Sequence, residues 1–140
     1  IHPDDFKDRC ELEKYHWEIL DPVTVAGNPR AYRSFIQGSA AELMIAKNMY
    51  IDTRSGWFSD RSICYLASGK PVVAQNTGLN TLYGGDDGLL LFDTVDGAAN
   101  AIREVQANYS RHARAARAIA EDYFESDKVL TKLLQKLSLA

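Results

Sequence analysis

Asp52 to Gly78 reads DTRSGWFSDRSICYLASGKPVVAQNTG, and the fold turns on how this stretch is parsed. It divides into a strand end, a polar loop, a short helix, a Gly-Lys-Pro turn, a buried strand and a second polar loop. Val72-Val73-Ala74 is short and wholly apolar, which suits the middle of a parallel sheet covered on both faces. Ser59 or Asp60 supplies a side-chain oxygen to the free N–H groups of a helix over Arg61 to Ser68. Gly69 takes the left-handed position after that helix, and Pro71 prevents its continuation. Ile63, Leu66 and Ala67 form the inward stripe at three-and-four spacing, and Cys64 falls on the same buried face as a structural thiol. The strands are expected at Met49 to Asp52 and at Val72 to Ala74. The loops Arg54 to Asp60 and Gln75 to Gly78 then emerge together at the carboxyl edge of the sheet, where open α/β sheets bind ligands. The helix start beside them offers N–H groups to an anion. The plainer alternative is a strand-helix-strand unit with ordinary caps, in which Asp60 only caps and pairs with Arg61.

Upstream, residues 1–31 form a poorly defined lead-in. Pro3 starts a helix on which Phe6, Cys10 and Leu12 share a face, and Trp17 to Leu20 is a short strand or an extended segment. Asn28 caps a helix beginning at Pro29, with Tyr32, Phe35 and Ile36 pointing inward. Ser39-Ala-Ala-Glu42 is a capping box, placing a helix through Leu43, Met44 and Lys47. Downstream, a helical turn over Gly78 to Tyr83 leads into a flexible loop, Gly84 to Gly88, and then a buried strand, Leu89 to Phe92. Asp93 caps a helix with Ala98, Ala101, Ile102 and Val105 inward. Ser110 starts a helix whose Arg111, Arg114 and Arg117 share a face, read as a solvated surface before an anion site. Tyr123 and Phe124 are apolar anchors. Ser126 caps a last helix with Val129, Leu130, Leu133, Leu134 and Leu137 inward. Alternating elements of this kind predict a three-layer α/β domain, Rossmann-like, with a parallel sheet and helices on both faces.

The 140 residues allow one domain with a real core, and a chain beginning at Ile1 reads as a processed product or a fragment of a longer one. A net charge of −3 carries no general nucleic-acid footprint. Cys10 and Cys64 make neither a disulfide framework nor a zinc site. No apolar run reaches the length of a membrane span and no signal peptide is visible, so a cytoplasmic protein without a transmembrane segment is expected. No Asp/His cluster has metal spacing. His2, His16 and His112 lie far from the central stretch, so no nucleophile-base arrangement and no catalytic residue can be assigned.

The ordered set Phe35-Ile36-Gln37-Gly38, a helix after Ser39, Met49 to Ser55, a helix around Tyr65, then Ala67-Ser-Gly-Lys-Pro-Val-Val-Ala74 resembles the C-terminal, donor-binding domain of GT-B glycosyltransferases. Gly88 to Phe92 is similar to the following Gly-Leu-Leu strand of that family. The likeness covers about residues 32 to 137, and the run Ser55 to Ser62 resembles a bacterial subgroup. It implies half of a two-domain enzyme that binds a nucleoside-diphosphate sugar without an obligatory metal. The acceptor would then be held mainly by an N-terminal domain of the same full-length chain. On this likeness the donor site comprises Ser55, Gly56, Trp57, Asp60, Arg61, Ser62, Gln75, Asn76, Thr77 and Gly78. Arg61 would meet the diphosphate, and Trp57 would stack on a base or sugar. Many retaining members carry two glutamates whose slots fall here at Gly56 and Cys64, neither of which replaces a carboxylate. The rival is a non-catalytic Rossmann-like module that binds a nucleotide or a protein partner. A dehydrogenase is disfavoured because no Gly-x-Gly-x-x-Gly follows a strand.

Overall fold

A computed structural model describes residues 4–81, 83 and 87–137. Pro3, most of the Gly84 to Gly88 loop and part of the Gly78 to Tyr83 turn lie outside the described residues. The chain divides into two compact units, Ile1–Phe35 and Ile36–Ala140.

The first unit holds α1 (Phe6–Lys14), α2 (Pro22–Ala26) and most of α3 (Pro29–Gly38). α1 buries none of its residues, and Phe6 and Cys10 are exposed rather than packed on a common face. The reason lies in its composition: FKDRCELEK has too few apolar positions to make a stripe. Trp17 to Leu20 takes no strand. Asp21 caps α2, its two carboxylate oxygens accepting from the N–H groups of Val23 and Thr24. The Thr24 hydroxyl donates to the same carboxylate, and together these bonds hold the Asp21 carboxyl below its ordinary pKa. Asn28 Oδ1 accepts from Ala31 N at 2.9 Å, so α3 starts at Pro29 as its sequence dictates.

The second unit is α/β. Its three-stranded parallel sheet has the order β1 (Glu42–Met44), β2 (Val72–Gln75), β3 (Leu89–Phe92). Leu43 pairs with Val73, and Val73 with Leu90. Val72, Val73 and Ala74 are all almost wholly inaccessible, as a central strand requires.

The first strand is not where the pattern put it. Met49 to Asp52 belongs to a short helix, α4 (Asn48–Asp52), and the strand is formed by Glu42–Met44, inside the expected capping-box helix. Tertiary contacts override the local signal. Glu42 does not fold back on Ser39 but extends to Arg61. Leu43 packs on the cluster built around Val73, Leu90 and Phe92, and Met44 is buried, its Sδ accepting from Ser62 Oγ at 3.4 Å. Continuing a helix through these residues would turn Leu43 or Met44 off the sheet. In α4 the Met49 side chain is exposed and Tyr50 stacks on Trp57.

α5 (Asp60–Ala67) follows, capped by Ser59, whose Oγ accepts from Arg61 N at 3.2 Å. Its buried residues are Ser62, Tyr65 and Leu66. The expected stripe is therefore rotated, and Ala67 and Cys64 are exposed. Gly69 has φ +66, the left-handed turn foreseen for it. After β3, α6 (Val95–Ala107) is capped by Thr94, not Asp93, with Gly97 N donating to Thr94 Oγ1 at 3.0 Å. Ala101 and Val105 of α6 join the Val73, Leu90 and Phe92 cluster.

α7 (Tyr109–Tyr123) closes against the start of β3. Gly88 N donates to Nδ1 of the fully buried His112 at 3.2 Å. A Cβ on Gly88 would lie 2.3 Å from Ala116 N, so only glycine admits this approach. Two of the three expected surface arginines are engaged within the molecule. Arg111 reaches Glu104 and Asp87, and Arg117 reaches Glu121 and the Ala67 carbonyl. α8 (Ser126–Lys136) is capped by Glu125 rather than Ser126. Its leucines, expected inward, are exposed, and α8 packs on α7.

Candidate functional site

The two polar loops do converge at the carboxyl end of β2. Gly56 N donates to the Thr77 carbonyl at 2.8 Å, and Thr77 Oγ1 donates to the Trp57 carbonyl at 2.7 Å. Gly78 has φ +102, and a Cβ there would stand 2.9 Å from the Arg54 carbonyl oxygen. Gly56, at φ +71, gives the first loop the left-handed kink that turns its N–H toward Thr77. The first loop reaches this edge from α4 rather than directly from a strand. Gln75 adds a tie from β2 to the β1 side, its Oε1 accepting from Ala46 N at 3.2 Å.

These bonds sort the ten candidate residues. Thr77, Ser62 and Gly78 are buried and build the loop junction or the core beneath it. Asn76 folds its Oδ1 back to Gly78 N, closing a local turn. Trp57 lies parallel to Tyr50 with ring centroids 4.8 Å apart, so one of its faces is occupied. Ser55 Oγ accepts from Trp57 N at 3.3 Å and stays at the surface. Asp60 is exposed, and its Oδ1 accepts from Arg61 N at 2.8 Å.

Arg61 turns its side chain to Glu42. Its Nε donates to Glu42 Oε1, and the Glu42 side chain is only 4% exposed while that of Arg61 is half exposed. Glu42 Oε2 is buried without a hydrogen-bond partner among the described residues. A carboxylate so placed depends on its one cation, since an uncompensated buried charge is costly. The arginine's guanidinium is therefore turned toward the first residue of β1, which pairs with the first residue of β2.

Asn76 also lines a hollow of about 480 Å³ together with Asn80, Asn100 and Gly97, over a floor that includes Leu90 and Ala101. Arg54 Nη2 reaches Asn80 Oδ1 at 3.5 Å, linking the first loop to the rim of this hollow. Glu42, Tyr50, Asn80 and Asn100 were not legible as part of this edge. Glu42 was hidden by its capping-box context, and Asn80 and Asn100 by their separation in sequence from the central stretch. No group of three or more His, Cys, Asp or Glu that could hold a metal occurs among the described residues, and none of their helices is long and apolar enough to cross a membrane. No protein-family model, curated protein or solved structure matches the chain.

Proposed function

We propose that this chain is the donor-binding half of a GT-B glycosyltransferase and holds a nucleoside-diphosphate sugar at the carboxyl edge of its sheet. On this reading the fold is the Rossmann-like, three-layer one, with α5 and α6 on opposite faces. The observation that carries the proposal is the pair of hydrogen bonds joining Gly56 to Thr77 and Thr77 to Trp57. They join the two polar loops beyond β2, at the edge where parallel sheets take their ligands. Arg61 supplies positive charge to the diphosphate, Ser55 and Asp60 supply exposed hydrogen-bonding groups, and Asn76 reaches the hollow beside them. No metal is needed for the leaving group, the acceptor is held by an N-terminal domain of the full-length protein, and the setting is the cytoplasm. The isolated chain transfers no sugar, because half of the cleft is elsewhere.

A second reading, a non-catalytic nucleotide- or protein-binding module, is favoured by one feature: Gly56 and Cys64 occupy the positions of the two glutamates. Titration of uridine, guanosine and adenosine diphosphates into the labelled chain tests the first reading. The expected result is a saturable shift of the Gly56, Asp60 and Asn76 amides with at least one of them. Amides that stay unmoved at millimolar nucleotide would refute it. Binding without sugar transfer by the full-length protein, offered a range of nucleotide sugars and acceptors, would favour the second.

A further inference from the structure

α8 ends the described chain as an amphipathic helix with its apolar face uncovered. Leu130, Leu134 and Leu137 recur at helical spacing, with Val129 and Leu133 beside them. All five are at least 42% exposed. Lys128, Lys132 and Lys136 recur every fourth residue along one flank of that face. Between α8 and the end of α7 lies a groove of about 240 Å³, lined by Asp122, Tyr123, Val129 and Leu133 and rimmed by the three lysines.

The charges around this face are not balanced. Glu121 pairs with Arg117, and Asp122 with Lys128. Glu125 spends its carboxylate on the N–H groups of Asp127 and Lys128. Asp127 sits in the first turn of α8, where the helix dipole favours it. Lys132 and Lys136 have no partner among the described residues. The result is a leucine face edged by uncommitted positive charge, on a chain whose net charge is −3. A second copy is a poor occupant for it, because two such faces brought together would set Lys132 and Lys136 against the same lysines of the other copy.

We propose that α8 and Tyr123 form a peripheral docking surface for an anionic lipid bilayer. The leucines enter the headgroup-acyl boundary, Lys132 and Lys136 meet the lipid phosphates, and Tyr123 lies at the interface, where an aromatic ring with a polar tip is at home. The helix lies along the surface and does not span the membrane. This surface shares no residue with the proposed donor site.

The test is flotation of the intact chain with vesicles of phosphatidylcholine, alone or with about one-third phosphatidylglycerol. The chain is expected to float with the anionic vesicles and to remain behind with the neutral ones. The double variant Lys132→Gln/Lys136→Gln should lower partitioning by about tenfold or more. Leu130→Ser/Leu134→Ser should lower it at least as far, because the apolar insertion is lost. All four side chains are exposed, so circular dichroism and melting should match the parent and exclude misfolding as the cause. Failure to float, equal flotation with both vesicle types, or partitioning that survives both double variants would overturn the proposal. So would a leucine-dependent dimer that ignores vesicles.

Discussion

The two ends of the sheet are built on different terms. At the amino end, α7 is pressed onto the strand starts: Gly88 touches its backbone, Gly69 lies beside Ala113, and the buried His112 ring accepts the Gly88 N–H. Glu104 and Arg111 back that histidine from outside. At the carboxyl end α7 meets the first loop through side chains, Phe124 stacking on Phe58 with ring centroids 5.9 Å apart. Two loops hold each other through backbone carbonyls and one threonine hydroxyl, and most of the remaining polar groups face outward. One end is specified by contact with a neighbouring helix, the other by hydrogen bonds that leave a surface free. Substitutions at the first should therefore register as lost stability alone, and substitutions at the second should also change what the edge can bind.

The harshest way to break this contrast is Gly88→Ala. The new methyl would overlap the α7 backbone at a residue with φ +80, and the expected loss is about 4 kcal/mol or more, enough to leave the unit unfolded. A denaturation midpoint close to the parent's would show that α7 does not bear on the strand starts.

Next is Arg61→Ala, which strands the buried Glu42 carboxylate. A loss of about 3 kcal/mol is expected, the low end for a broken buried pair because Arg61 is itself half exposed. Adding Glu42→Gln should return much of it. Under the donor-binding proposal, nucleoside diphosphate affinity per folded molecule also weakens by about 1.5–3 kcal/mol, and Arg61→Lys recovers only part, since an ammonium cannot make the two-pronged contact. Unchanged affinity would assign Arg61 to Glu42 alone.

Thr77→Val is smaller and tests the loop junction. It removes the donor to the Trp57 carbonyl at a fully buried position, at a cost of about 1–2 kcal/mol. The Gly56 amide should exchange with solvent faster, while the Gly88 amide should not. Equal acceleration at both would mean that the two ends open as one.

The smallest effect lies outside the sheet. The lowered pKa of the Asp21 carboxyl means that its cap on α2 is at full strength above about pH 4 and is lost as pH falls through its depressed value. The Val23 and Thr24 amides should report this change in acid while the amides of β2 stay fixed. A transition at ordinary carboxylate pH would show the cap to be unimportant.

The sequence displayed β2, β3, the left-handed Gly69 and the start of α3 openly, because each rests on a local rule: an apolar run, a glycine turn, an asparagine cap. It hid β1 for an equally physical reason. Three residues are too few to show a period, and Glu42 belongs to a capping-box pattern that only its distant partner Arg61 overrides. The exchange of Thr94 for Asp93 and of Glu125 for Ser126 as caps is a matter of one residue at helix ends with adjacent capping groups. The leucines of α8 misled more deeply, since periodicity marks an apolar face but not what covers it. At the candidate site the two loops converge, although the strand at Met49 to Asp52 on which that expectation rested is the helix α4. Which side chains turn inward was not legible, because Thr77, Ser62 and Asn76 spend their polar groups on contacts that depend on the folded path of the loops.

The stacked pair Tyr50–Trp57 has one more consequence. The chain has two tryptophans, one in each compact unit. Trp17 is 56% exposed, whereas Trp57 is shielded on one face by a ring lying within 5° of its plane. The two indoles should thus differ in emission colour and in access to a dissolved quencher such as iodide. Trp17 is expected to be the redder and more readily quenched, and Trp57 to redden on loss of its stacking with Tyr50. Without any added dye, the unaltered chain carries separate optical reporters for its two units.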